Sequence, residues 1–205
     1  MKRILIMIAV LVGMGGAGVA QAQSNNAQVV KETKKELNEN RASLKAAKKA
    51  AAKKARELKD EVLHQQSVQA MQNKEFVLEA EQVFFKNGDF AWVQQNTNFI
   101  SVQGDQSVVQ LALSNINPGP NGIGGITLEG NITGYNLKTD SKGNTFLQMQ
   151  VFGTSLSATV FITLYNNSQQ AHATVSPDFN NNNIDFTGEV IPYGQSNVFK
   201  GQTTY

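Results

Sequence analysis

The sequence predicts a mainly β protein, with an antiparallel β sandwich or partly closed barrel preceded by one long N-terminal α-helix. Three observations support this prediction. Apolar and polar residues alternate from Phe146 to Ser176, which is the period of a β-strand. Turn-forming pairs such as Asn87-Gly88 and Gly104-Asp105 separate the alternating stretches. Residues 29–71 contain no Gly or Pro and are rich in Ala, Lys, Glu, Gln and Leu, which favours a helix.

The composition is typical of a secreted globular protein with one additional segment. The chain has 205 residues, of which 40% are hydrophobic and 17% charged, and it contains no Cys. Without Cys it has no disulfide framework, no thiolate metal ligand and no lipid-modified Cys. We therefore expect a domain that is stabilised by an ordinary hydrophobic core, and a protein that is not a lipoprotein.

Residues 1–22 have the pattern of a secretory signal peptide. Lys2 and Arg3 give a positive start, Ile4–Val12 form an apolar run, and Ala20-Gln21-Ala22 is a small-x-small cleavage site. An apolar run of nine residues is too short to cross a hydrocarbon core of about 30 Å. The sequence predicts cleavage after Ala22 and export to the periplasm or cell envelope, with an uncleaved anchor as the alternative.

Charge separates the predicted helix, assigned to residues 23–72, from the remainder of the chain. Residues 31–61 carry eleven Lys or Arg against six Asp or Glu, a net charge of +5, whereas residues 76–205 carry four against nine, a net charge of −5. Such a basic, Ala/Lys-rich helix can be a solvated spacer, can lie on an anionic surface, or can pack weakly on its own domain. Binding to nucleic acid is not predicted, because export removes the protein from it and no aromatic residues interleave with the lysines.

The helix is not predicted to form a stable two-stranded coiled coil. Apolar residues recur every seven positions, but the second core position of the same heptad is mostly polar. The two sets are Val30, Leu37, Leu44, Ala51 and Leu58 for the first position, and Thr33, Asn40, Ala47, Lys54 and Glu61 for the second.

Residues 73–192 are predicted to form the antiparallel β domain, and residues 193–205 a C-terminal tail. We expect the last part of this tail, Val198–Tyr205, to be loose. Within the domain, a four-residue loop, Asn166–Gln169, would place Leu164 opposite Ala171.

The turn at Gly153-Thr154 is expected to contain two residues. It would place Val151 opposite Leu156 and would bring the apolar residues of both strands to one face. The sequence therefore predicts a β meander with one dry face.

Two features of the β domain are candidate ligand-binding elements. A two-residue turn at Asn87-Gly88 would oppose Phe85 to Phe90 and Val83 to Trp92, giving either cross-strand core packing or an aromatic patch that grips a ligand. The Gly-rich stretch Asn115–Gly125 lacks the Gly-Lys-Ser/Thr ending and the following helix of a phosphate loop. It is interpreted as a loop across one end of a sheet or barrel, where it could act as a lid. The candidate ligand-binding residues are Phe85, Phe90, Trp92, Gly122, Gly124 and Gly125.

Five short motifs stand in order along the predicted β domain. They are Lys74-Glu75-Phe76-Val77-Leu78-Glu79-Ala80, Val102-x-Gly104-Asp105, Gly122–Gly125, Leu164-Tyr165-Asn166-Asn167, and Asn181-Asn182-x-Ile184-x-Phe186-x-Gly188. Together they resemble a family of exported Bacteroidetes proteins known as a domain of unknown function. The resemblance covers roughly residues 73–192 and implies an envelope protein with a β-rich domain. It supplies no activity and no catalytic residues.

No catalytic site, metal site or cofactor is predicted. His64 and His172 belong to unrelated segments, and two such ligands do not make a zinc site. Asp185 and Glu189 lie four residues apart on one strand, about 13 Å from each other by strand rise. That separation is too large for a glycosidase pair.

Three functions are compatible with these observations. The first is a non-catalytic cell-envelope binding or structural module that contacts an unknown envelope component or protein partner, with the helix as spacer or docking arm. The alternative is a lipocalin-like carrier that holds a small apolar ligand beneath the Asn115–Gly125 loop. An unrecognised hydrolase ranks last. A filled interior would favour the module, and an apolar cavity of roughly several hundred Å³ would favour the carrier.

Overall fold

The computed structural model describes residues 19–113, 119–178 and 182–203, with side chains from residue 29 onward. The chain divides into two units, Met1–Lys54 and Ala55–Tyr205. Most of the predicted signal peptide lies outside the described residues.

One long helix, α1 (Val19–Gln72), runs through the boundary of the two units. In the first unit, every side chain from residue 29 to residue 54 is exposed to solvent. In the second unit the helix buries His64, Ser67, Ala70 and Met71, which are spaced so that they share one face. Within the part of the chain that the structure describes, no helical segment has the length of apolar sequence that a membrane crossing requires.

The described residues after the helix form nine antiparallel strands, which account for the predicted β domain. They are β1 (Glu75–Phe85), β2 (Phe90–Trp92), β3 (Phe99–Gln103), β4 (Gln106–Ala112), β5 (Gly125–Thr139), β6 (Thr145–Gly153), β7 (Ser157–Leu164), β8 (Gln170–Pro177) and β9 (Ile184–Pro192).

Eight of these strands close into a barrel. Strands β3 to β9 pair successively with their neighbours in the sequence, β1 pairs with β3 on one side, and β1 pairs with β9 on the other. The three-residue strand β2 lies outside this ring and pairs only with the second half of β1. The predicted mainly β fold with one long N-terminal helix is confirmed, and the sheet closes completely. An eight-stranded barrel is just wide enough to be filled by side chains or to hold one small ligand.

The predicted dry face is the barrel interior. Leu147, Met149 and Val151 on β6 are at most 1% exposed, and the alternate residues of β7 and β8 are buried in the same way. Leu164 lies opposite Ala171, as predicted. The predicted pairing of Val151 with Leu156 is wrong, because Val151 lies opposite Ala158. The Gly153 amide donates to the Leu156 carbonyl, which closes a longer turn. This shift is two residues, so the same side chains still point inward.

The last turns of α1 close one end of the barrel. Ala70 and Met71 belong to the same apolar cluster as the buried residues of the strands. Three hydrogen bonds fix the helix there: the Ser67 hydroxyl donates to the Val190 carbonyl, the His64 Nδ1 lies 2.8 Å from the Ser168 carbonyl, and the Tyr135 hydroxyl donates to the Met71 carbonyl. Burial raises the pKa of the Tyr135 phenol well above its ordinary value of 10.0, so that it stays protonated as a donor.

The C-terminal segment packs on the outer face of the barrel, and the expectation of a loose tail is wrong for its described residues. After a short 3₁₀ helix, η1 (Tyr193–Gln195), the Phe199 carbonyl accepts from Gln110 at 2.8 Å, and the Gly201 amide donates to the Gln110 side chain at 2.8 Å. Gln110 is fully buried beneath this segment and also bonds Thr97 and Thr127.

Further along the same segment, the Lys200 ammonium lies 2.8 Å from the Glu129 carboxylate, which also accepts from Thr203. The hydrogen bonds from Lys200 and Thr203 lower the pKa of Glu129.

Candidate ligand-binding site

The end of the barrel opposite the helix contains an apolar cavity of about 470 Å³. At this end β1 and β8 finish and β7 and β9 begin. The volume is within the range of ligand-binding clefts, roughly 300–1,000 Å³. The apolar lining residues are Phe85, Val109, Leu111, Ile126, Leu128, Leu156, Ala158, Val175, Pro177, Ile184 and Phe186, and the polar ones are Lys86, Asn87, Ser157, Asn182 and Asn183.

The cavity exists because the inward positions at this end carry side chains that do not meet across the barrel. At the helix end the interior is filled by buried large residues such as Met71, Phe76 and Leu147. Along the cavity wall the inward side chains include Ala158 and Val175, which are short. Within the described ranges no helix supplies bulk to this end, because the last turns of α1 lie at the other one.

Polar groups lie at the rim of the cavity and apolar groups along its walls. Lys86, Asn87, Asn182 and Asn183 are all exposed and flank the ends of β1 and β9. In contrast, Val175 is 4% exposed and Phe186 is 1% exposed. The site therefore offers a dry interior with hydrogen-bonding and charged groups at its edge.

The structure brings only one of the three predicted aromatic residues to the cavity. Phe85 lines it, whereas Phe90 and Trp92 are exposed on the barrel exterior. The predicted pairing of Phe85 with Phe90 is wrong: Phe90 lies opposite Phe84, and their ring centroids are 5.8 Å apart.

The shift in the pairing of β1 with β2 comes from the turn that connects them. The Phe85 amide bonds the Asp89 carbonyl, and Gly88 has a φ of 90°. The connection is therefore a three-residue loop with Gly in the left-handed region. Trp92 consequently lies opposite Gln82 instead of Val83. This shift is one residue, which places Trp92 on the opposite face from the one predicted.

The loop that contains the predicted glycines is held by Asn121. Its side-chain oxygen accepts from the amides of Ile123 and Gly125, at 3.1 and 2.9 Å, and its side-chain nitrogen donates to the Leu111 carbonyl. A Cβ on Gly125 would lie 2.0 Å from that same carbonyl oxygen, so only glycine fits there. Gly122 and Gly124 have φ angles of 76° and 92°. None of the three lines the cavity. Residues 114–118 of the proposed lid lie outside the described residues.

Sequence reasoning missed most of the cavity wall. Leu111, Leu128, Val175 and Ile184 all stand at inward positions of alternating stretches, so the alternation marked them as interior. The alternation does not show whether side chains fill the interior of the barrel at the positions of these four residues. No sequence pattern marked Lys86, the charged lining residue, as part of a site, because it immediately precedes a turn.

Both histidines lie away from this cavity. His64 is engaged at the helix end, and His172 is on the outer face, 3.8 Å from Asp185. Among the residues that the structure describes, no three His, Asp or Glu side chains are grouped to hold a metal ion.

Comparison with known proteins identifies relatives of the β domain. Comparison with curated proteins gives no match. A solved crystal structure of a DUF4251 family protein from Bacteroides eggerthii DSM 20697 is similar, with 40% sequence identity and a TM-score of 0.62, and the match covers 70% of this chain and 96% of that one. The sequence profile described as "Domain of unknown function (DUF4251)" matches residues 58–190. This range contains the last turns of α1 and all but the last two residues of the barrel strands. The predicted membership is confirmed: the chain belongs to the DUF4251 family.

Proposed function

We propose that this protein is a non-catalytic binding protein that carries a small apolar ligand in the hollow end of its barrel. The observation that supports the proposal most directly is the cavity of about 470 Å³ with its predominantly apolar lining. Burial of apolar surface stabilises a bound ligand by roughly 25 cal/mol per Å². A cavity of this size therefore supports useful affinity without any specific polar contact.

The asymmetry of the barrel supports the carrier over a purely structural module. A barrel that served only as a rigid unit would gain stability from filling its interior at both ends, because empty space forfeits packing contacts. Here Met71 and its neighbours fill one end, and the other end is left hollow. The lining residues that the structure describes include one charged side chain, Lys86, and no carboxylate, which supports binding over hydrolysis.

The carrier proposal is tested by enlarging a side chain on the cavity wall so that it fills the cavity. Ala158→Leu adds three carbon atoms at a buried lining position, and Thr159→Leu adds a similar side chain at the next residue, which faces outward. Binding of the neutral fluorophore N-phenyl-1-naphthylamine is measured for both variants and for the wild-type protein. We expect Ala158→Leu to weaken binding by about tenfold or more, equivalent to ~1.4 kcal/mol, and Thr159→Leu to bind like wild type.

Stability measurements separate a blocked cavity from a damaged fold. Filling an existing cavity commonly stabilises a protein by roughly 0.5–2 kcal/mol. Ala158→Leu is therefore expected to melt at the same temperature as wild type or higher while it binds less. Equal binding by the two variants, or no binding by the wild-type protein, would refute the carrier.

We propose further that α1 is a docking arm for an anionic surface of the cell envelope. Between residues 29 and 54 it carries nine Lys or Arg against three Glu, a net charge of +6, and all of these side chains are exposed. Lys and Arg near an anionic lipid surface are each worth about 1 kcal/mol. The signal-peptide pattern of residues 1–22 supports a location outside the cytoplasm.

Co-sedimentation with vesicles tests the arm. Binding to vesicles that contain anionic lipid, weakened by salt and lost in a Lys45→Glu, Lys48→Glu, Lys49→Glu variant, would support it. Equal binding to zwitterionic vesicles would contradict it, and the role of spacer would then be favoured.

A further inference from the structure

The cavity is wide in comparison with its depth. On each of β4, β5, β8 and β9, and at the start of β7, two lining positions two residues apart form the wall; Val109 and Leu111 on β4 and Val175 and Pro177 on β8 are examples. Two residues of a strand rise about 7 Å, so a volume of about 470 Å³ corresponds to a cavity about 9 Å across. The space is therefore a bowl, and not a narrow tunnel.

Most polar groups at the rim of the bowl already have partners within the protein. The side chains of Asn87 and Ser157 donate to aspartate carboxylates at 2.5 and 2.6 Å. Lys86 and Asn182 also have interaction partners in the protein. A charged ligand would lose hydration at the apolar wall without gaining a free partner from these four residues. The lining residue Ile126 is 39% exposed, so a ligand that reaches the rim would bury further apolar surface.

We infer that the ligand is a compact, uncharged ring compound, and not a single alkyl chain or an ionised amphiphile. The inference rests on the proposed carrier function and specifies the shape and charge of the molecule carried. An extended alkyl chain is about 4 Å thick, so it would leave most of the width empty and forfeit contacts with the wall. A chain that coils to fill the width must fix its rotatable bonds, which costs conformational entropy that a rigid ring system does not lose.

Two ten-carbon alcohols, 1-adamantanol and 1-decanol, test the shape. Dissociation constants are measured by competition with N-phenyl-1-naphthylamine, and each is corrected for the octanol–water partition of the probe, so that a difference in hydrophobicity does not count as fit. After this correction, the wild-type protein is expected to bind 1-adamantanol about tenfold more tightly than 1-decanol. Ala158→Leu narrows the cavity and should therefore weaken binding of 1-adamantanol more than binding of 1-decanol. Thr159→Leu, at the neighbouring outward position, should bind both like wild type.

Two ions with the same cage, 1-adamantanecarboxylate and 1-adamantylamine, test the charge. The competition is measured at about pH 8, where the carboxylate is ionised and the amine protonated. Both ions are expected to bind at least about tenfold more weakly than 1-adamantanol, because each must give up hydration at the apolar wall.

The outcomes distinguish the shape and charge of the ligand from the carrier function itself. If 1-decanol equals 1-adamantanol after the correction, if Ala158→Leu weakens both alcohols alike, or if 1-adamantanol fails to displace a bound fluorophore, the ring shape is overturned and the carrier stands. If either ion binds as tightly as 1-adamantanol, the uncharged ligand is overturned. If the fluorophore itself does not bind, the carrier fails as well. Circular dichroism melts of Ala158→Leu and Thr159→Leu show whether a change in affinity arises from the cavity or from the fold.

Discussion

The hollow end of the barrel can be tested without any ligand, through the stability cost of one substitution made at two paired positions. Val160 on β7 lies directly opposite Val175 on β8. Both side chains point inward, at 0% and 4% exposure. Val175 lines the cavity, and Val160 is not among its lining residues. The same change to Ala in either residue removes two carbon atoms from the same strand pairing.

The two substitutions are expected to lower the free energy of unfolding by different amounts, because only one of them creates a new void. Removing two buried carbons loses about 1.6 kcal/mol of transfer free energy, at ~0.8 kcal/mol each. At Val160 the neighbours are close-packed, and two groups of roughly 30 Å³ each leave a void that costs about 1.4 kcal/mol more, at ~24 cal/mol per Å³. At Val175 the space is already open, so the second contribution is small. We expect losses of about 3 kcal/mol for Val160→Ala and about 1.5 kcal/mol for Val175→Ala.

Equilibrium urea unfolding, followed by circular dichroism, measures both losses. For a domain of about 150–250 residues, the difference of ~1.5 kcal/mol corresponds to roughly 3–6 °C in melting temperature. Equal losses at the two positions would show that the interior is packed alike on both strands. That result would falsify the cavity, and the proposed carrier would lose its main support.

Three further predictions concern the remainder of the barrel. Gly188→Ala should cost about 3 kcal/mol, because its Cβ would lie 1.9 Å from a backbone oxygen of β1, whereas Gly194→Ala meets no atom within 4 Å and should be neutral in the same thermal melts. Gln110→Ala removes four hydrogen bonds beneath the C-terminal segment; it should cost roughly 1–3 kcal/mol and expose the segment to hydrogen exchange, unlike Gln106→Ala on the same strand. The pKa of Glu129 is lower in the folded protein than its ordinary 4.5, so its stabilisation is complete above about pH 4.5 and is lost as the pH falls through the folded value. Glu129→Gln should therefore lose less stability than wild type between about pH 6 and pH 3, and an identical acid profile would contradict this.

Alternation of apolar residues predicted the interior of the barrel well because it depends on a local property, the two-residue period of a strand. The error at Gly153 shifted the pairing by two residues and left every side chain on its predicted face. The error at Gly88 shifted it by one residue and moved Trp92 to the exterior. The difference lies in turn geometry: an extra residue in the left-handed region changes the parity of the pairing. The two-residue sequence signal does not reveal that change.

The cavity could not be predicted in this way, because it depends on which residues face one another across the closed barrel. Ala158 and Val109 belong to strands that lie about fifty residues apart in the chain, and both line the cavity only because β1 closes on β9. The burial of Gln110 could not be predicted for the same reason, because the residues that cover it belong to the C-terminal segment. In both cases the deciding contact is between residues distant in sequence, which local periodicity does not report.

The closed end of the barrel determines how a ligand can enter. The last carbonyls of α1 are hydrogen-bonded: Gln69 accepts from the Asn73 amide, and Met71 accepts from the Lys74 amide and the Tyr135 hydroxyl. Opening that end would expose buried Met71 and break its hydrogen bond with Tyr135, so we expect this end to open rarely. A ligand of the proposed carrier is therefore expected to enter and leave at the rim that carries Lys86. Exchange through one entrance suits a protein that takes up and releases a single bound molecule, and it argues against a path through the barrel.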